Sequence, residues 1–283
     1  MRIKFYKYQG AGNDFLIADN RDGSVVLTTE QIAALCDRRY GVGADGLMLL
    51  ERPMEGSDDD FRMTYFNSDG SGGMMCGNGG RCIVAFAADM GIRKFSFHAA
   101  DGPHVAEILS DNGRVKTVCL QMKDVGSYEQ YDRLTGPVVP SDGYFLDTGT
   151  RHYVRVVEGL SSYDVVGEGR DIRYNAVELQ PVGANVNFIE PSADGVLGVR
   201  TYEKGVEDET YACGTGIVAS CIAAYKAGIK PSETDGTHVA YNVRAKRDDL
   251  RVSFRPSGMA DCIAEDVYLT GPAAFVAEVS VEL

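Results

Sequence analysis

Apolar residues fall in short runs along much of this chain, and this pattern predicts many short strands. Several runs are rich in β-branched or aromatic residues and are bounded by Gly, Asn or Asp, as strands are. In the first half they predict strands over 2–8, 14–19, 46–51 and 61–67. In the second half they predict strands over 144–148, 152–157, 185–190 and 197–203.

Two longer segments are apolar on nearly every side and stop at a glycine. Residues 77–90 precede Gly91, and residues 214–227 precede Gly228, so each segment predicts a helix with a glycine stop. A helix that is apolar all round must be enclosed by other elements. Since the pattern supplies many strands, we expect each helix to sit inside a curved sheet.

The two helices belong to an internal repeat with a constant offset of 137 residues. Cys76-Gly77 superposes on Cys213-Gly214, and Gly91-Ile92 superposes on Gly228-Ile229. A shared register over such distances indicates two halves with one architecture. The sequence therefore predicts an α/β (α+β) fold of two pseudo-symmetric domains, each a curved mixed β-sheet or barrel around a central apolar helix.

The polar, Gly- and Pro-bearing stretch 124–143 is the expected boundary between the halves. We assign residues 1–124 to the N-terminal half and about 125–272 to the C-terminal half. A last strand, at about 273–282, is expected to return to the first half, so that residues 273–283 belong there. A helix is also predicted over 29–39.

Composition narrows the functional classes. The chain has 283 residues, 44% hydrophobic, which excludes a disordered protein or a disulfide-stapled mini-domain. Its net charge of -13 disfavours nucleic acid as a partner. No apolar run approaches the roughly 18 residues that span a bilayer. The opening MRIKFYKYQG lacks an apolar secretory core, so we expect a cytoplasmic protein without a membrane partner.

Seven cysteines and four histidines carry the candidate chemistry. Seven is an odd number, so most of the cysteines are expected to be free thiols. No pair has CxxC spacing and the histidines are scattered, so we predict no metal site. Residues 41–46 match GxGxxG, but they precede a strand instead of a helix, so they are interpreted as a turn.

Two of the thiols, Cys76 and Cys213, stand at helix starts and are followed by Gly-Asn-Gly and Gly-Thr-Gly. The first amides of a helix have no partner within the helix, and the helix end carries about half a positive charge. Such an end favours a thiolate and attracts a carboxylate. Two thiols on opposite sides of an amino acid would invert its Cα, one removing the proton and the other supplying one.

Five stretches resemble diaminopimelate epimerases, a family of cofactor-independent two-cysteine enzymes of lysine and peptidoglycan-precursor synthesis. They are YQGAGNDFLIADN (8–20), RRYGVGADGLMLL (38–50), FNSDGSGGMMCGNGGRC (66–82), GANVNFIE (183–190) and YEKGVEDETYACGTGIVAS (202–220). The resemblance implies interconversion of LL- and meso-diaminopimelate in a cleft between two pseudo-symmetric halves. It also implies a homodimer that needs neither pyridoxal phosphate nor another cofactor.

The resemblance also implies roles for individual residues. Cys76 and Cys213 align with the two catalytic acid/bases, and His152 aligns with a histidine that flanks the site. Thr150 and Arg151, next to His152, are expected to support the site. The helix-end residues expected to hold the reacting carboxylate are Gly77, Asn78, Gly214 and Thr215. The other expected substrate-binding residues are Asn13, Asn67, Asn185, Glu203 and Lys204.

Two departures from the family pattern lie in the second half. Family members commonly have Glu-Arg where this chain has Glu203-Lys204, and Lys cannot offer the guanidinium fork. They usually read Gly-Asn-Pro-His or Gly-Ser-Pro-His where this chain has Gly149-Thr150-Arg151-His152. We hypothesise that Arg151 takes over carboxylate binding and compensates for Lys204.

Other functions stay open at this point. Related two-thiol enzymes racemise proline, hydroxyproline or histidine, and they differ in the pocket for the far end of the substrate. A thiol redox protein, in which Cys76 and Cys213 form a disulfide, is an alternative of another class. A pure binding module is a third. Substrate profiling, dependence on reductant and Cys→Ala variants distinguish them.

Overall fold

A computed structural model describes residues 2–73, 75–138, 142–259 and 262–283 of the chain. The chain divides into two compact units, residues 1–121 with 270–283, and residues 122–269. Part of the expected boundary stretch, residues 139–141, lies outside the described residues, as does Met74 within the stretch 66–82.

The first unit is a closed barrel of eight strands. They are β1 (Arg2–Gly10), β2 (Asn13–Asp19), β3 (Gly46–Glu51), β4 (Phe61–Asn67), β5 (Phe95–Ala99), β6 (Gly102–Asp111), β7 (Val115–Gln121) and the second part of β17 (Cys262–Glu282). Each strand pairs with the next in this order. The ring closes where β17 pairs antiparallel with β1, from Arg2 opposite Glu282 to Gln9 opposite Ala274.

Helix α2 (Gly77–Asp89) runs through this barrel, as its apolar sequence predicts. Its residues from Gly77 to Ala87 are all buried, and it packs on strands β1, β2, β3, β6 and β7. A barrel of eight strands leaves an interior that side chains fill, and here a helix fills part of it. The shorter helix α1 (Thr29–Cys36) begins with a capping box between Thr28 and Gln31.

The second unit repeats this plan. Its strands are β8 (Tyr128–Tyr131), β9 (Gly143–Asp147), β10 (Arg151–Val156), β11 (Asn185–Pro191), β12 (Val196–Glu203), β13 (Asp208–Thr210), β14 (Glu233–Thr234), β15 (Val239–Arg244), β16 (Asp249–Met259) and the first part of β17. Helix α3 (Val165–Asn175) connects β10 to β11, with short 3₁₀ turns at Leu160–Ser162 and Val177–Leu179. Helix α4 (Gly214–Lys226) packs on β9, β10, β11, β12 and β16.

The strand pairing matches between the units. In the first, β1 and β2 pair antiparallel, β2 and β3 parallel, and β3 and β4 antiparallel. In the second, β9 and β10, β10 and β11, and β11 and β12 follow the same sequence of directions. Helices α2 and α4 both have 13 residues, and their first residues are Gly77 and Gly214. The expected fold class of two pseudo-symmetric halves is confirmed.

The predicted elements are confirmed with shifts of one or two residues at most ends, but β17 begins at Cys262, eleven residues before the expected start at about 273. Residues 41–45 connect α1 to β3 without a helix of their own. Helix α1 is shorter than predicted, since it ends at Cys36 instead of residue 39. The reason is local: the Asp37 carboxylate accepts hydrogen bonds from the backbone N–H groups of Arg39 and Tyr40, which bends the chain away. None of the helices among the described residues is long and apolar enough to cross a membrane.

Candidate active site

Cys76 forms the N-cap of α2 and is half-buried. Its Sγ accepts a hydrogen bond from the Gly79 N–H at 3.3 Å, and its carbonyl accepts one from the Gly80 N–H at 2.8 Å. The thiol therefore occupies the position that a Ser or Asp side chain takes at other helix starts. A negative charge on this sulfur is stabilised by the first turn of the helix.

A chain of four polar side chains runs from the residue that precedes β3 to the buried first turns of α2. Asn13 Nδ2 donates to Asp45 Oδ2 at 3.0 Å, and Asn78 Nδ2 donates to Asn13 Oδ1. Arg81 Nη2 then donates to Asn78 Oδ1 at 2.8 Å. Arg81 is fully buried, and it also donates to the Gly77 carbonyl at 3.2 Å.

The two ends of this chain determine its direction. A carboxylate only accepts hydrogen bonds and a guanidinium only donates them. Asp45 therefore requires the Nδ2 group of Asn13, and Arg81 requires the Oδ1 atom of Asn78. Both amides are held in one orientation, although amide oxygen and nitrogen are otherwise interchangeable in shape.

An ion cluster surrounds Asp45 on the outer side. Arg38 donates to Asp14 Oδ1 at 2.6 Å and to Asp45 Oδ1 at 2.7 Å, and Lys7 lies 2.7 Å from Asp14 Oδ2. Burial alone would raise the pKa of Asp14, but the hydrogen bonds from Arg38 and Lys7 outweigh it and hold that pKa below its usual value. The Asp14 carboxylate therefore stays ionised at neutral pH.

Gly10, at the end of β1, lets the strand pass close to the start of α2. A Cβ at this position would lie 2.9 Å from the Asn78 carbonyl oxygen and 3.1 Å from Cys82 Sγ. The absence of a side chain therefore sets the distance between the β1–β2 hairpin and the helix, and with it the contact of Asn13 with Asn78.

Asn67 lies at the end of β4, close to the segment that leads to Cys76. Its Nδ2 donates to Ser71 Oγ at 3.0 Å, which closes the turn after the strand. A Cβ on Gly73 would lie 3.0 Å from Asn67 Oδ1, so the amide lies against this segment. Asn67 thus lies in the same unit as Cys76 and contacts the loop that leads to it.

In the second unit, Cys213 is the buried N-cap of α4. Its Sγ lies 3.5 Å from Thr215 Oγ1. Thr215 Oγ1 is in turn 3.0 Å from Thr150 Oγ1 and 3.0 Å from His152 Nε2. The second thiol is therefore adjacent to a hydroxyl group, whereas the sulfur of Cys76 caps its own helix.

His152 is fully buried, and burial lowers its pKa to about 3. The imidazole is thus neutral at physiological pH. Its Nε2 lies 2.9 Å from Thr150 Oγ1, and its Nδ1 lies 3.1 Å from the Nδ2 atom of Asn187, a buried residue of β11. A Cβ on Gly216 would lie 2.5 Å from Asn187 Oδ1, so only a glycine in the first turn of α4 permits this arrangement.

Asn185 connects the ends of three strands beside this cluster. Its Nδ2 donates to the Arg151 carbonyl at 3.1 Å, and its Oδ1 accepts the Lys204 N–H at 2.9 Å. Glu203 Oε2 accepts a hydrogen bond from Thr210 at 2.8 Å, and the Lys204 side chain is exposed.

The Arg151 guanidinium points to a different part of the second unit. It donates to the Leu179 carbonyl at 3.3 Å, and its Cζ lies 4.9 Å from the centre of the Phe145 ring. Arg151 is half-buried, and its neighbour in sequence, His152, faces the hydroxyl cluster.

The sequence-predicted residues thus fall into two local groups. In the first unit Cys76, Gly77, Asn78 and Asn13 come together, with Asn67 beside the preceding loop. In the second unit Cys213, Gly214, Thr215, Thr150 and His152 come together, with Asn185, Glu203 and Lys204 at adjoining strand ends.

Three residues of these groups were not predicted: Asp45, Arg81 and Asn187. Each lies inside a motif stretch of the sequence. For Asn187 the available signal was the spacing from Asn185, which puts both side chains on one face of a strand. For Arg81 the signal was a charged residue in an otherwise apolar helix.

Comparison with known proteins establishes the family of this chain. A family model described as diaminopimelate epimerase matches residues 5–124 and 144–276. The diaminopimelate epimerase of Flavobacterium psychrophilum is 42% identical over 282 residues, covering 99% of this chain and 100% of the relative. The chain belongs to the diaminopimelate epimerase family. Another diaminopimelate epimerase, from Chlorobaculum tepidum, is 41% identical over 94% of this chain and 96% of its own length.

Solved structures with low sequence identity share the fold of this diaminopimelate epimerase family member. A Bacillus anthracis phenazine biosynthesis protein of the PhzF family has a TM-score of 0.71 and 16% identity, with 100% of both chains covered. A probable proline racemase from Agrobacterium radiobacter has a TM-score of 0.68 and 16% identity, covering 99% of this chain and 93% of its own. The two-unit architecture is therefore shared well beyond the family.

Proposed function

We propose that this protein is a diaminopimelate epimerase, an isomerase that interconverts LL- and meso-diaminopimelate. The observation that carries the proposal is the pair of thiols at the starts of two buried helices, Cys76 on α2 and Cys213 on α4, in a chain of this family. Each helix start presents N–H groups that suit an anion. The substrate has a carboxylate on the carbon that is inverted.

The proposed reaction moves one proton off Cα and another one on. One thiolate takes the Cα proton, and the electron pair of the C–H bond is delocalised into the carboxylate. The other thiol then gives its proton to the opposite face of Cα, so the reaction consumes nothing. The two cysteines exchange their protonation states, and the reverse reaction uses them in opposite roles.

The difficult step is formation of the carbanion, because the Cα–H of an amino acid is a very weak acid. Helix-end amides that hold the carboxylate stabilise the negative charge that develops on it. We assign this role to the backbone N–H groups of Gly77, Asn78, Gly214 and Thr215. Arg81 adds a fully buried positive charge one turn into α2.

The remaining predicted residues are proposed to hold the substrate. Asn13, Asn67 and Asn185 offer amide groups, and Glu203 offers a carboxylate for a substrate ammonium or for assistance to a thiol. His152 is neutral and fully buried, so it supports the second thiol through its hydroxyl neighbours and does not supply charge.

A second candidate is epimerisation of another amino acid, such as proline, hydroxyproline or histidine. It is favoured by the departures at Arg151 and Lys204, the positions at which the sequence predicts binding of a substrate carboxylate. Diaminopimelate has a second ammonium and a second carboxylate at that end. Both candidates require the same two thiols.

The test is proton NMR of the reduced protein with LL-diaminopimelate in D2O. We expect loss of the α-proton signal and appearance of the meso isomer, with neither in Cys76→Ala or Cys213→Ala. Cys119→Ala is the matched control, since this half-buried thiol on β7 has no assigned role. A folded, reduced wild type that leaves LL-diaminopimelate unchanged but exchanges the α-proton of proline, hydroxyproline or histidine would establish the second candidate.

The proposal includes a homodimer in the cytoplasm that works without pyridoxal phosphate. It is supported by the family resemblance, and by an odd number of cysteines, seven, whose spacing does not suggest a disulfide framework. Sedimentation equilibrium should give twice the mass of the 30.6 kDa chain. Full activity should persist after treatment with hydroxylamine, which removes pyridoxal phosphate from enzymes that hold it.

A further inference from the structure

The amide of Asn187 is held in one orientation in the interior of the second unit. Its Nδ2 donates to the Tyr153 carbonyl at 3.3 Å, and a carbonyl oxygen accepts only. Its Oδ1 accepts the hydroxyl of Thr201 at 2.9 Å. Nδ2 is therefore also the atom that faces His152 Nδ1, at 3.1 Å.

This orientation selects one tautomer of His152. An Nδ1 atom that receives a hydrogen bond carries no proton. Because the buried imidazole is neutral, its single proton is on Nε2. That N–H points towards Thr150 Oγ1 and Thr215 Oγ1, at 2.9 and 3.0 Å.

The tautomer affects the proton of the Thr215 hydroxyl. An Nε2 that donates does not accept a hydroxyl proton, so the proton of Thr215 is left for Thr150 Oγ1, 3.0 Å away, or for Cys213 Sγ, 3.5 Å away. A charged thiolate is the stronger acceptor of the two. An Nε2 without a proton would compete for it. A hydrogen bond donated to a thiolate stabilises the charged form.

We propose that Asn187 is a positioning residue for the second thiol: it fixes the Nε2-protonated tautomer of His152 and thereby leaves the Thr215 hydroxyl to stabilise the Cys213 thiolate. The catalytic meaning of this arrangement rests on the proposed function, whereas the tautomer and the reactivity of the thiol do not depend on it.

The first measurement is the ¹⁵N NMR spectrum of the imidazoles in the full-length wild type at neutral pH. The chain has four histidines, so His152 is assigned by comparison with His152→Gln. We expect Nε2 of His152 to carry the proton and Nδ1 to be unprotonated. A wild-type His152 protonated on Nδ1 overturns the proposal before any Asn187 variant is needed.

The second measurement uses Asn187→Asp, which has nearly the same shape but only accepts hydrogen bonds. The carboxylate should draw the proton to Nδ1 and exchange the characters of the two ring nitrogens. Alkylation of Cys213 by iodoacetamide, followed by peptide mass spectrometry at fixed pH, should then slow by about tenfold, which corresponds to one charge-assisted hydrogen bond. The control Asn242→Asp makes the same chemical change on β15 and should leave both readouts unchanged.

Thr215→Val and Thr215→Ser complete the design. Both should keep the wild-type tautomer, but only Thr215→Val should slow alkylation of Cys213. If Asn187→Asp exchanges the tautomer while alkylation keeps its wild-type rate, the proposed link to the thiol is wrong. If the tautomer and alkylation results hold but no amino acid is epimerised, the proposed function fails and this inference stands.

Discussion

Asn13 turns its Nδ2 towards the carboxylate of Asp45, with 3.0 Å between the two atoms. This contact sets the direction of every hydrogen bond that follows, through Asn78 to Arg81. An acceptor at one end and a cation at the other leave each amide a single orientation. The start of α2 is therefore built around a directed chain, and each link can be tested.

Asp45→Asn should disrupt this chain while keeping its shape. The new amide cannot present oxygen to both Arg38 and Asn13, so the exposed guanidinium or the partly buried Asn13 amide loses its acceptor. Loss of a hydrogen bond to a charged acceptor costs about 1–3 kcal/mol. We expect a comparable drop in the free energy of unfolding and an increase in KM for the substrate. Urea unfolding and steady-state kinetics measure both.

The control for this prediction is Asp132→Asn, which removes one carboxylate from an exposed position. It should match the wild type in both assays. Wild-type stability and wild-type KM in Asp45→Asn would show that the direction of the chain has no functional value.

His152 predicts acid-sensitive stability. Its pKa is about 3 in the folded protein, below the roughly 6.5 of an unfolded chain. Between these values the unfolded state binds more protons, so the free energy of unfolding falls as the pH falls. The stabilisation contributed by His152 is fully present above about pH 6.5. Between about pH 3 and pH 6.5 the free energy of unfolding decreases by up to about 1.4 kcal/mol for each pH unit.

Urea unfolding of wild type and His152→Gln between pH 4 and 8 measures this contribution. The variant should be less stable at pH 8, but its stability should depend less on pH. Partly buried carboxylates such as Asp14, whose pKa is also shifted, contribute equally to both proteins and cancel in the difference. If the stabilities of wild type and His152→Gln depended on pH in the same way, His152 would have the same pKa in the folded and unfolded states.

Gly216→Ala should push two buried side chains apart. The new methyl group would meet Asn187 Oδ1 at 2.5 Å and His152 Cε1 at 3.1 Å. Overpacking of this kind costs about 1–3 kcal/mol. Gly258→Ala is the matched control, because a Cβ there meets no atom of the described residues within 4 Å. Equal thermal stabilities of the two variants would contradict the contact.

Arg151→Ala tests the hypothesis that this residue compensates for Lys204. If Arg151 binds a substrate carboxylate, KM should increase by about tenfold or more, while kcat changes little. The reason is that such a contact binds the substrate and the transition state equally well. The guanidinium also contacts Phe145 and the Leu179 carbonyl, so thermal unfolding should be measured alongside. An unchanged KM would assign Arg151 to structure alone. Restoring the guanidinium fork with Lys204→Arg in the Arg151→Ala background should lower KM again.

The elements that were predicted each depend on a local pattern, whereas β5 to β8, β13 to β16 and α3 had no prediction. The strands from β1 to β4 and the buried helices α2 and α4 are visible as apolar runs with glycine stops. The pair Cys76 and Cys213 was visible because both halves repeat the same turn. These features need no knowledge of which strands become neighbours.

The supporting residues depend on pairing between distant strands, which no local pattern contains. Asp45 reaches Asn13 because β2 and β3 pair in parallel, with Phe15 opposite Gly46. Asn187 reaches His152 because β10 and β11 pair in parallel, with His152 opposite Asn185. The sequence of a strand indicates which of its side chains lie on the same face. The partner of such a side chain on the neighbouring strand depends on the register of the pairing.

Strand β17 gives the chain an unusual order of completion. Its residues up to Leu269 belong to the second unit, and those from Thr270 close the first barrel between β7 and β1. During synthesis the first barrel thus cannot close until a strand about 150 residues after β7 has been made. The second unit is contiguous in sequence, so all of its residues are synthesised before that strand. Until then β1 and β7 are open edges on the ribosome, where a chaperone or another nascent chain can pair with them.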